Sequence, residues 1–142
     1  MNTVSSLLTR KARTSITVPP DTSVMDALKL MAEKNIGSVI VMEADQYLGI
    51  VTERDYSRKI ALKGKNSATT TVSEIMTSDL PSVNPSDSIE HCMTVMTTKN
   101  IRYMPVFDNK KLVGIVSMSD VVKETILAQK ETINQLQSYI QS

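Results

Sequence analysis

The sequence predicts an α+β fold, close to an α/β sandwich, in which two β-α-β-β-α repeats pack with pseudo-twofold symmetry. Three observations predict it. The chain repeats itself without a gap over much of its length. Each copy joins one helical apolar period to short β-branched runs. One copy alone, at about 60 residues, would bury too little surface to stand by itself.

Sliding the chain by 65 places (18 onto 83) sets Val18–Asp55 on Val83–Asp120. Pro20 meets Pro85, Ser23 meets Ser88, Met31 meets Met96, and Lys34-Asn35-Ile36 meets Lys99-Asn100-Ile101. "GIVTERD" at Gly49–Asp55 falls on "GIVSMSD" at Gly114–Asp120. Upstream, "TVSSLLT" at Thr3–Thr9 matches "TVSEIMT" at Thr71–Thr77 with a shift of 68 (3 onto 71), so the first copy carries three additional residues near Arg10–Arg13. A duplication of this kind is sought first because it decides the fold.

In each copy a short helical lead-in comes first. "SVMDALKLMAEKN" then places Val24, Ala27, Leu28 and Met31 at helical spacing behind the start signals Pro20, Asp21 and Ser23. Ile89, Cys92, Met93 and Met96 take those places in the second copy. The runs "IGSVIVM" and "LGIV", then "YMPVF" and "LVGIV", read as buried strands joined by turns at "EADQY" and "DNKK". A helix follows from Thr52 or Ser117; in the first copy it carries Tyr56, Ile60 and Ala61 and stops near Gly64.

Composition narrows the function. Hydrophobic residues make up 41% and charged residues 22%, an ordinary globular balance. A formal net charge of +1, no Trp and one Phe offer neither a basic field nor stacking platforms, so no nucleic acid is expected. Cys92 is the one cysteine, which argues against a disulfide framework and for a reducing cytoplasm. No apolar run approaches the roughly 20 residues that span a bilayer, so no membrane is expected. The Ser- and Arg-rich start, without an acid before Asp21, loosely fits an organelle-targeting segment, but the repeat accounts for it better.

The repeated sentence carries the chemistry. A glycine in the strand permits close approach to the backbone. Thr52 or Ser117 then stands at a helix N-terminus, where N–H groups and the dipole favour an anion. Asp55 or Asp120 follows one turn on, and an ionised carboxylate accepts from both hydroxyls of a ribose diol. The pair suits a ribose phosphate, yet Thr-x-x-Asp and Ser-x-x-Asp equally describe a helix capping box. His91 reads as a surface residue and Cys92 as a buried thiol. No catalytic set, metal-spaced cluster or Walker loop is visible, so neither an enzyme nor a metal protein is expected.

Two copies of a strand of the type "YMPVF", eroded to "SVIVM" in the first, each followed by "GIV[S/T]xxD", resemble tandem cystathionine-β-synthase (CBS) domains, the Bateman module. The extension "TERDYSRKIALKGK" is similar to small free-standing bacterial proteins of that kind. The resemblance covers essentially the whole chain. It implies a non-catalytic regulatory module that binds an adenosyl ligand in clefts between the repeats and passes the signal on through the conformation of a homodimer. AMP is the first choice of ligand, with ATP, ADP, NAD(H) or S-adenosylmethionine as others, and no catalytic cofactor is implied.

Residue by residue, the resemblance implies one cleft made by Thr52 and Asp55 with Ile36, Gly37 and Ser38, closed by Leu80 and Pro81. The other takes Ser117, Ser119 and Asp120 with Arg102, Tyr103, Met104 and Pro105, and Ser15 and Ile16 supply its apolar wall. Arg54 stands where Ser119 keeps the family's hydroxyl, which sets the first cleft apart. Arg102, opposite neutral Gly37, is the candidate phosphate cation for a mononucleotide beside Asp120.

After Asp120, Ile126, Ile133 and Ile140 recur every seven residues with Leu136 between them, a stripe for packing on the module or on a second subunit. The helices bearing Met31 and Met93–Met96 either complete a dimer face or lie in the core. The expected division is residues 1–65, 66–125 and a helical tail, 126–142. The competing reading is a ligand-free structural or dimerisation adaptor, and in either case the regulated partner protein is unknown.

Overall fold

The computed structural model describes residues 2–11 and 15–141. Residues 12–14, which hold most of the three-residue insertion, lie outside the described residues. The helices are α1 (Val4–Lys11), α2 (Val24–Lys34), α3 (Glu53–Tyr56) running into a π-helical turn (Ser57–Ala61), α4 (Val72–Ile75), α5 (Ile89–Lys99) and α6 (Met118–Gln141). The strands are β1 (Thr17–Val18), β2 (Ser38–Glu43), β3 (Gln46–Thr52), β4 (Tyr103–Asp108) and β5 (Lys111–Ser117).

The duplication is kept down to single hydrogen bonds. Ser23 caps α2 by accepting from the Asp26 N–H, and Ser88 caps α5 by accepting from the His91 N–H. Asn35 and Asn100 end those helices in the left-handed region at φ 53° and 54°, where asparagine is tolerated best after glycine. Antiparallel β2–β3 pairs Val41 with Gly49, and β4–β5 pairs Val106 with Gly114. Each hairpin slips its register just beyond that pair, at Val41/Met42 and Val106/Phe107. Val18 lies parallel to Val41 in β1–β2, and an isolated parallel bridge joins Val83 to Val106 at the matching place.

Two compact units result, Ser15–Leu80 and Met1–Thr14 with Pro81–Ser142, and these cut the chain at places other than the limits of the sequence repeat. Each unit has its own core. In the first, Val18, Val24, Ala27, Met31, Val39, Val41, Val51 and Ile60 are joined by Val72 and Ile75 of α4. In the second, Val83, Ile89, Cys92, Met96, Met104, Val106, Val116 and Val121 are joined by Val4 and Leu7 of α1. The lead-in helices are therefore exchanged: the first copy's lead-in completes the second unit, and the second copy's completes the first. Burying a side chain such as Leu7 or Ile75 contributes about 1.5–3 kcal/mol, so neither repeat is self-sufficient as a contiguous segment.

Several sequence expectations are sharpened. Met31 and Met96 are core residues, at 3% and 0% exposure, and so do not belong to a dimer face. Leu28 and Met93 are only partly buried against their clusters. The helix after Thr52 does break at Gly64, which sits at φ +65°, but its π turn leaves Ala61 exposed while Ile60 stays buried. Cys92 is a buried free thiol and His91 is exposed. In α6 the tail stripe stays outside its unit: Ile126 is 45% exposed, Ile133 52%, Leu136 57% and Ile140 80%.

Candidate functional site

Each hairpin delivers its second strand straight into a helix start. Ser38 pairs with Thr52 across β2–β3, and Tyr103 pairs with Ser117 across β4–β5, so the strand beginnings stand beside the helix beginnings. The carbonyl of Gly37 accepts from the Glu53 N–H at 3.2 Å, and that of Arg102 accepts from the Met118 N–H at 2.8 Å. Gly37 and Ser38, following Ile36, are thereby brought beside Thr52, and Arg102 and Tyr103 beside Ser117, while Met104 and Pro105 pair with Val116 and Ile115. Of the second group, Met104 has no exposed surface, whereas Arg102 and Ser119 are exposed.

Both repeated sentences form reciprocal capping boxes. Asp55 Oδ2 accepts from the Thr52 N–H at 2.9 Å while Thr52 Oγ1 accepts from the Asp55 N–H at 3.2 Å. Asp120 Oδ2 accepts from the Ser117 N–H at 3.0 Å while Ser117 Oγ accepts from the Asp120 N–H at 3.1 Å. Such boxes satisfy helix donors that would otherwise be orphaned.

Beyond the box the two copies differ. The remaining oxygen of Asp55, Oδ1, takes the Thr77 hydroxyl at 2.9 Å and the Lys59 ammonium at 3.1 Å. Thr77 is brought there by an antiparallel bridge to Ile50, and Lys59 also donates to the Ile75 carbonyl at 2.8 Å. At Asp120 the Lys11 ammonium lies 2.9 Å from Oδ2 and donates to the Ile115 carbonyl at 3.0 Å. Oδ1 of Asp120 has no hydrogen-bond partner among the described residues. Its side chain is 18% exposed against 9% for Asp55. Burial pushes the Asp120 carboxyl up, but the Lys11 hydrogen bond and charge, with the Ser117 N–H, outweigh it and hold the group below the usual carboxylate range.

The cation beside Asp120 is thus Lys11, where the sequence had pointed to Arg102. Lys11, Lys59 and Thr77 were all missed. Lys59 was legible as an i+4 partner of Asp55. Lys11 was not, because it adjoins the insertion and has no counterpart in the repeat. Leu80, Ser15 and Ile16 belong to the unit that holds Asp55, and Pro81 to the unit that holds Asp120. Arg54 is half-buried and takes part in further interactions of its own. Among the described residues no group of three or more His, Cys, Asp or Glu is placed to hold a metal, and no helix is long and apolar enough to cross a membrane.

Comparison with known proteins gives one answer throughout. A family model described as the CBS domain matches residues 4–62 and again 72–126. The chain is 39% identical over 126 residues to the CBS domain-containing protein CBSX3, mitochondrial, of Arabidopsis thaliana, matching 85% of this chain but only 61% of that protein's length. The solved structure of a putative signal-transduction protein with CBS domains from Burkholderia ambifaria is 45% identical, covers 90% of this chain and 96% of its own, and superposes with a TM-score of 0.85. The CBS domain pair of protein MJ0100, solved in complex with 5′-methylthioadenosine and S-adenosyl-L-methionine, is 26% identical over 92% of this chain and 98% of its own, with a TM-score of 0.76.

Proposed function

The chain belongs to the CBS-domain family, with two such domains along its length, and from that premise we propose that it is a regulatory module that binds an adenosyl ligand and does no chemistry on it. One observation carries the reading: Asp120 keeps a carboxylate oxygen without a partner among the described residues, at the start of a helix and beside an exposed serine. A carboxylate so placed accepts from a ribose diol, and the helix start favours a phosphate. The adenosyl compounds named for the MJ0100 domain pair support the same class of ligand.

On this reading the Asp120 set is Ser117, Ser119, Asp120, Arg102, Tyr103 and Pro105, and the Thr52–Asp55 set is its replica. AMP is the first candidate, followed by ADP, ATP, NAD(H) and S-adenosylmethionine. The exposed stripe of α6 supports self-association as a homodimer, whose arrangement a regulated partner protein would read. The proposed setting is the cytoplasm, and the proposed division is repeats at 1–65 and 66–125 with the tail at 126–142.

The test is thermal unfolding of the full chain with AMP, ATP, NADH or S-adenosylmethionine. Ligand at about a hundred times its dissociation constant adds roughly 2.7 kcal/mol to stability, a shift of several degrees. Asp120→Asn abolishes that shift. A chain that no adenosyl compound stabilises is an adaptor in which the repeated sentences serve only as helix caps.

A further inference from the structure

The two repeated sites have the same caps but opposite surroundings. Four residues past Asp55 the first copy has Lys59; four past Asp120 the second has Glu124. Lys59 turns back onto Asp55. Glu124 is 4% exposed and turns away from Asp120, toward Arg10 at 3.4 Å and the Asn2 side chain at 3.3 Å. The second copy thus has no cation at that place on its helix and draws two, Arg10 and Lys11, from α1.

This exchange changes what each carboxylate has left to offer. Asp55 accepts four contacts from its own unit, two on each oxygen. A ribose diol would have to displace Thr77 and Lys59 together. At Asp120 the cation sits on the oxygen already used by the cap, and the other oxygen has no partner among the described residues. An ammonium has three N–H donors. Lys11 gives one to Asp120 and one to the Ile115 carbonyl, and its side chain stays 22% exposed. It therefore neutralises the carboxylate and still has a donor for a second anion.

Resting on the adenosyl reading above, we infer that the second copy takes a phosphorylated adenosyl ligand whose phosphate is held by Lys11, while the Asp55 site is closed, so that each chain binds one ligand. The same charge disfavours S-adenosylmethionine, whose sulfonium would meet the Lys11 ammonium, and gives adenosine nothing to hold at that end.

The experiment is calorimetric titration of the full chain with AMP and with adenosine, repeated for Lys11→Met and Lys11→Arg. One AMP binds per chain, more tightly than adenosine by about tenfold, the worth of one charge-assisted contact. Lys11→Met removes that preference and Lys11→Arg keeps it. Two AMP per chain, or a preference that survives loss of Lys11, overturns the inference and leaves the adenosyl reading standing. A chain that binds neither AMP nor adenosine overturns both.

Discussion

Lys59 and Glu124 hold corresponding places in the two copies, one helical turn beyond the aspartate, and carry opposite charges. The first closes an ion pair within its own helix, 3.1 Å from Asp55. The second is buried and depends on α1 for its counterion. Duplication has preserved the backbone, while this position has changed the sign of its charge.

Lys59→Met should destabilise the unit that holds Asp55. The carboxylate is nearly buried, but Lys59 is 38% exposed, so solvent screens much of the pair. The expected cost is about 1 kcal/mol, read as a lower urea midpoint with an unchanged slope. A midpoint equal to the wild type would show that the Thr52 and Thr77 hydroxyls hold Asp55 unaided.

The repeated glycines should differ in tolerance. A Cβ on Gly49 would stand 2.8 Å from the Thr77 carbonyl oxygen and 3.1 Å from the Met76 side chain. Backbone cannot yield cheaply there, so Gly49→Ala should cost about 2 kcal/mol or more. On Gly114 the nearest atom is Cδ2 of Leu8, at 3.0 Å, the end of a flexible side chain. Gly114→Ala should cost under about 1 kcal/mol, and equal losses in chemical unfolding would refute the distinction.

Stability should depend on pH through Asp120. Its folded carboxyl titrates below the ordinary value of 3.8, so the unfolded chain binds more protons in that window. The stabilisation is complete above that value and is lost as pH falls through the folded value. The gap in unfolding temperature between wild type and Asp120→Asn should therefore be widest near neutrality and narrow below about pH 4. A gap that stays constant down to acid would mean that charge contributes nothing there.

Cys92 should be chemically silent in the folded protein. It has no exposed surface, and burial, with Asp87 adding to it, pushes the thiol up to about 11. Thiolate is the reactive form, so a disulfide reagent at neutral pH should label the chain only at the rate of unfolding. Rapid stoichiometric labelling under native conditions would contradict the packing described.

Much of this was written plainly in the sequence. The gapless repeat located both hairpins, both capped helices and both box aspartates, because a strand's period and a cap's residue type are local properties. The partner of Asp120 was not legible. Arg102 was the nearest cation in sequence, but its backbone, set by the hairpin register, serves the helix start while its side chain is exposed. Lys11 reaches the site only because α1 packs against α6 and β5, a tertiary fact that no period encodes. The fate of Met31 and Met96 was ambiguous for a related reason, since helical spacing marks an apolar face without saying what covers it.

The exchange of lead-in helices has a consequence for synthesis on the ribosome. Residues 15–80 form a contiguous unit that can close while the rest of the chain is still being made. Helix α1 emerges before that unit yet cannot bury Val4 and Leu7 until β4 and β5 exist. At about 5–20 residues per second that delay lasts roughly 5–20 s, during which the apolar face of α1 is exposed on the nascent chain. A segment translated before residues 15–80 thus finds its place after them, and a chaperone that shields α1 would protect the protein most during that interval.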